Sequence, residues 1–200
     1  AFSFIALRGA EGNSTQAYNA SEWLARDLNY YDSYATWGEA DSAGASLYVF
    51  GSTDRVLIQP TLSALTQHLL SFQMPSGGFK GWWDSDGSPV QVEDAPDTAW
   101  SMLGLLSLNA MPDSSRQSAA TYLKSLQNQD GSFNLTPKNY SHPLSSLAPD
   151  QVSLTALSLW ALHEAGAQDA GASEDESISR GLNFLRLATV NCFDNNVSVM

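Results

Sequence analysis

Gln73-Met-Pro-Ser-Gly77-Gly78-Phe79 and Gln127-Asn-Gln-Asp130-Gly131-Ser132-Phe133 are two copies of one pattern, set 54 residues apart. Each follows an apolar stretch of helical character, HLLSF at 68–72 and YLKSL at 122–126. Each is followed by a second helical signal opened by an acid, Pro96-Asp97-Thr98-Ala99-Trp100 in one copy and Pro149-Asp150 shortly before Thr155-Ala156 in the other. Self-similarity at such a period marks a repeat architecture. The physical unit is a helical hairpin: an apolar helix ends where Gly supplies a left-handed cap, and the aromatic beyond it folds back on the last turn. The Gln is expected to bond freed carbonyls or the next repeat's turn, coupling neighbours.

Written as Q-x3-G-x-F, a Phe-bearing form of the Gln/Trp repeat, the pattern resembles the prenyltransferase and squalene-oxidase repeat of the α/α-toroid superfamily. The resemblance covers nearly the whole chain. It implies a fold and leaves function open, because that group spans triterpene cyclases, protein prenyltransferase β subunits, cobalamin carriers and complement thioester domains.

Working outward, helices are expected over 1–10, 14–29, 41–51, 56–72, 97–110, 114–127, 150–166 and 174–189, from apolar spacing and start signals. Asp97 is read as the N-cap of its helix, with Asp41 and Asp150 in similar places, and Asp113 or Ser114 as the cap of the next. Pro60 is tolerated only near a first turn. Long loops fall at 80–95 and 134–148, and 30–40 (YYDSYATWGEA) is an aromatic turn region. The expected fold is all-α: one domain over 1–200, made of about four helical hairpins in an incomplete (α/α) toroid or open arc. The resemblance implies about six hairpins in a closed ring. The chain therefore reads as truncated at both ends, its open apolar faces covered by missing chain, self-association or a partner.

The 200 residues carry a formal charge of −12 with only nine Lys and Arg, which gives no basic stripe for nucleic acid or anionic membrane. No apolar run reaches the roughly 20 residues that span a bilayer. A single cysteine, Cys192, excludes an internal disulfide. Sequons at Asn13, Asn19, Asn134, Asn139 and Asn196 exceed the roughly two expected by chance and point to an extracellular or cell-surface glycoprotein. The plain alternative is a chain rich in Ser, Thr and Asn.

The segment Val92-Glu93-Asp94-Ala95-Pro96-Asp97-Thr98-Ala99 resembles the Asp-x-Asp-Asp-Thr-Ala segment of class II triterpene cyclases, but Pro96 stands where the resemblance places the proton donor. No catalytic residue is assigned; Asp94 and Asp97 are the carboxylates that come nearest. His68, His142, His163 and Cys192 offer no pair at zinc-ligand spacing, and no Cys-Gly-Glu-Gln thioester segment occurs. Asp84 and Asp86 have the alternation of a calcium turn, but Ala95 stands where a bidentate Glu is needed, so an Asp-Gly turn is the commoner meaning. No cofactor is expected. The aromatic group Phe79, Trp82, Trp83 and Trp100 is the candidate contact for an apolar or glycan ligand, against plain packing on a neighbouring hairpin.

The reading is a secreted or cell-surface binding or assembly module without catalysis. The rivals are a fragment of a cyclase- or prenyltransferase-like enzyme with its acids elsewhere, and a carbohydrate-active α/α barrel with close carboxylates in the loop before Asp97.

Overall fold

The computed structural model describes residues 40–51, 59–80, 92–137, 151–167 and 175–196. Among them the protein is all-α, with six helices: α1 (Ala40–Gly51), α2 (Gln59–Ser71), α3 (Ala95–Ser107), α4 (Asp113–Ser125), α5 (Gln151–Ala167) and α6 (Glu176–Asn196). A two-stranded antiparallel ladder, β1 (Phe79–Lys80) and β2 (Glu93–Asp94), precedes α3 and pairs Phe79 with Asp94 and Lys80 with Glu93. The expected helices at 1–10 and 14–29 and the turn region at 30–40 lie outside the described residues, save for Ala40.

α3 is the centre of the packing, with α1 on one side and α5 on the other. α1 and α3 run parallel. Their N-termini meet at Asp41 and Asp97, and their C-termini meet where the Ser107 hydroxyl donates to the Leu47 carbonyl at 3.3 Å. The two backbones touch: a Cβ on Gly44 would lie 2.3 Å from the Trp100 carbonyl oxygen, and one on Gly104 would lie 2.3 Å from that of Gly44. Small residues at this seam let it close, and Leu47, Met102, Leu103 and Leu105 fill the core around it.

Helix starts differ from the expected ones in instructive ways. The N-cap of α3 is Asp94, not Asp97: its carboxylate accepts from the Asp97 amide at 2.8 Å, and Pro96 occupies the first turn. Pro has no N–H, so the amides left to satisfy are those of Ala95, which donates to the Leu135 carbonyl at 2.9 Å, and of Asp97. The N-cap of α4 is Pro112, without a side-chain cap bond. Asp113 instead pairs with Arg116 at 3.2 Å, and the Arg116 guanidinium donates to the Ala165 carbonyl in the last turn of α5 at 2.7 Å. A cation at that carbonyl end is favourably placed. Between α3 and α4 the chain reverses at Asn109, which takes a left-handed φ of 51° in the place where Gly is usual.

The expected glycine cap is also relocated. α4 ends at Leu126 in right-handed geometry, and the left-handed residues, Gly77 (φ 99°) and Gly131 (φ 94°), sit in separate tight turns beyond the helix ends. The last helix runs on to Asn196, past the expected end at 189.

Candidate functional site

The two Gln-Gly-Phe turns fold alike. In the first, the Met74 amide donates to Gly78 O at 2.8 Å and the Gly77 amide to Met74 O at 2.8 Å. In the second, the Asn128 amide donates to Ser132 O at 2.7 Å and the Gly131 amide to Asn128 O at 3.1 Å. The Gln73 side-chain amide then donates to Gly77 O in its own turn at 3.0 Å and to Ser115 O, in the first turn of α4, at 2.9 Å. Gln127 does the same with Gly131 O at 3.1 Å and with Ser177 O of α6 at 2.8 Å. The expected coupling of neighbours is present, with the carbonyls supplied by the turn itself and by α4 or α6.

Each turn is also tied to the helix behind it. The Phe79 amide donates to the Thr98 hydroxyl at 2.9 Å, and the Phe133 amide to the Thr155 hydroxyl at 3.1 Å. Phe79 is wholly buried in the core, as is Phe133, so it offers a ligand no surface and the ligand-contact expectation for it is corrected. Trp82 and Trp83 lie outside the described residues, as do Asp84 and Asp86.

Trp100 is nearly buried and stands in an aromatic cluster that crosses three helices. Trp160 of α5 meets Trp100 edge-on with ring centres 5.8 Å apart and Tyr48 of α1 edge-on at 5.0 Å. Tyr48 and Trp160 remain half-buried, and neither was singled out by sequence, because a pairing between repeats leaves no local spacing.

The carboxylates gather at the parallel N-termini of α1 and α3. Asp94 and Asp97 are 1% and 2% exposed. Asp97 Oδ1 accepts from the Asp41 amide at 2.9 Å, so Asp97 caps the neighbouring helix rather than its own. Asp97 Oδ2 and Asp41 Oδ1 are buried with no hydrogen-bond donor. Burial, then the carboxylates of Asp94 and Asp41, push the Asp97 carboxyl well above the usual carboxylate range; the Asp41 amide opposes this and a side-chain hydrogen bond with Asp94 adds to it. The Tyr122 hydroxyl donates to the Glu93 carbonyl at 2.9 Å, and burial with the nearby carboxylates of Glu93, Asp94 and Asp97 raises it too.

Asp94 and Asp97 are therefore linked through the Asp97 amide in a dry setting. A glycoside-cleaving pair needs about 5 Å or more between its carboxyls, to admit the sugar or water. This pair is shut away from solvent and offers neither an approach.

Asn134 forms a reciprocal amide pair with Asn128, donating at 2.9 Å and accepting at 3.2 Å, and donates to Leu126 O at 3.2 Å. Both its amide hydrogens are thus engaged, one of which a glycan would replace. Asn13, Asn19 and Asn139 lie outside the described residues, and Asn196 is the last residue of α6. Among the described residues no group of three or more His, Cys, Asp or Glu is arranged to hold a metal ion, and no helix is long and apolar enough to cross a membrane. The chain matches no protein-family profile, no curated protein and no solved structure.

Proposed function

We propose that this chain is a non-catalytic binding or assembly module of the α/α-toroid type, secreted or displayed at the cell surface, whose helical hairpins associate through the outer face of the last helix. The observation that carries this reading is on α6. Leu182 and Leu187 are 56% and 48% exposed, the large hydrophobic side chains left in solvent among the described residues. Elsewhere in the array the polar groups of the repeat are consumed in joining hairpins. Exposed leucines on one helix of a repeat array are what a neighbouring chain covers. The half-buried Tyr48 and Trp160, beside Trp100, supply the apolar surface for a ligand of apolar or glycan character.

Light scattering on the native protein tests the assembly, together with intact mass for glycans. The expected result is an oligomer that the double substitution Leu182→Glu, Leu187→Glu reduces to a monomer of unchanged helicity. An unmodified wild-type monomer would overturn the reading.

One observation favours a second reading, a cyclase- or prenyltransferase-like enzyme fragment: Asp97 is a buried acid flanked by two carboxylates, the setting that keeps a carboxyl protonated for donation. Turnover of an isoprenoid substrate that Asp97→Asn abolishes would support it; absence of turnover in wild type would remove it.

A further inference from the structure

The junction of α1 and α3 brings three carboxylates to two helix N-termini. The helix dipoles and the Asp41 amide favour one anion there. They do not suffice for two buried ones. If Asp94 and Asp97 were both ionised, Asp97 Oδ2 would be a charged oxygen shut away from water without a donor, and Asp41 Oδ1 would face the same lack beside it. A proton held by the Asp94–Asp97 pair removes that conflict, since both side chains are buried and Asp94 Oδ1 is already tied to the Asp97 amide at 2.8 Å.

Among the described residues, the groups around Asp97 offer no other relief. α1 contributes Asp41, β2 contributes Glu93 and Asp94, and α4 contributes the Tyr122 hydroxyl, already committed to the Glu93 carbonyl. The cation of the ladder, Lys80, stands opposite Glu93, whereas Phe79 stands opposite Asp94. No cation among the described residues acts on Asp97.

We propose that the Asp94–Asp97 pair takes up one shared proton on folding and makes the α1–α3 junction a pH-sensitive latch, firmest in acid and weaker as the pH rises. The sign follows from linkage. In the unfolded chain Asp97 titrates near the ordinary value of about 3.9. In the folded chain it holds its proton to a higher pH. Between the two values the folded state binds more protons, so stability falls as pH rises, and it levels off once the folded carboxyl has ionised.

The test is thermal unfolding of the full chain from pH 4 to pH 9, for wild type, Asp97→Asn and Asp41→Asn. Asparagine at 97 keeps an acceptor for the Asp41 amide and a donor toward Asp94, and cannot ionise. Relative to Asp97→Asn, the wild-type melting temperature is expected to fall by about 3 °C per pH unit within the titration window. Asp41→Asn, which removes one like charge, is expected to narrow that window from its upper end. Parallel profiles for wild type and Asp97→Asn would overturn the latch. Carboxyl-carbon NMR of the wild-type chain over the same pH range is the second measurement; it does not need the variant to fold and is blind to the proton that half-buried His68 gives up. An Asp carboxyl titrating above the ordinary range is expected, and none would equally overturn the latch. Neither result bears on assembly through α6, which light scattering reads separately.

Discussion

The turns at 73–79 and 127–133 share one set of backbone, Gln and Phe–Thr bonds, whereas the helix starts they lean on differ. Both turns present a left-handed Gly against a carbonyl of α4 or α6, a Gln that reaches that same helix, and a Phe amide that meets a Thr hydroxyl. Aligning the helices on those threonines, Thr98 and Thr155, puts Gln151 in the place of Asp94 and Leu154 in the place of Asp97. Gln151 donates to the Ser132 hydroxyl at 3.1 Å, and Leu154 is simply core. The turn is thus the repeating unit of structure. The buried carboxylates belong to one junction, and the cap-like equivalence of Asp97 with Asp150 does not survive the alignment.

Seven substitutions in four sets probe that contrast, in order of falling effect. Gly77→Ala and Gly131→Ala are each expected to cost about 3–5 kcal/mol, because each adds a left-handed strain and a Cβ 2.2 Å from a carbonyl oxygen, of Ser118 or of Arg180. Urea midpoints that differ widely between the two would break the equivalence of the turns. Thr98→Val and Thr155→Val leave a buried Phe amide without its acceptor, at about 1–3 kcal/mol each. Thr98→Val should be the larger in the same denaturation series, since its hydroxyl also donates to Asp94 O at 2.6 Å.

Gln73→Ala loses two hydrogen bonds and Gln127→Ala three, for about 1–2 kcal/mol each. Amide hydrogen exchange should show the loss at the starts of α4 and α6 respectively, with Gln127 also releasing the Arg180 guanidinium that it holds at 2.9 Å. Asp97→Leu copies the second repeat into the first and has the smallest net effect, within about 1 kcal/mol at pH 8, as a hydrophobic replacement offsets the lost acceptor. It should cost more at pH 5, where the protonated pair is at its firmest. A uniform large loss at both pH values would mean that the acid is indispensable to the junction whatever its charge.

The turns were legible because their parts lie within seven residues and each has one physical use. Helix type was legible as well, and helix bounds came within a few residues for α1 to α5. The cap of α3 was misplaced because Asp94 and Asp97 are both acceptable caps by composition. What decides between them is Pro96: a first-turn Pro shifts the amide needing a partner to Asp97, three residues after Asp94. That signal was present and unused. Nothing local announces the meeting of Tyr48, Trp100 and Trp160, nor that Asp97 caps a helix that begins 57 residues earlier, at Ala40. Such facts depend on how closely α1 and α3 approach, which Gly44 and Gly104 set through contacts invisible to periodicity.

The bond from Phe amide to Thr hydroxyl closes a loop of 19 residues in the first repeat and of 22 in the second. Its anchors stay fixed while the intervening length changes. For a chain pinned at both ends, doubling the loop costs only about 0.6 kcal/mol. The bond, and not the length of chain between its ends, is therefore what this architecture keeps from one repeat to the next.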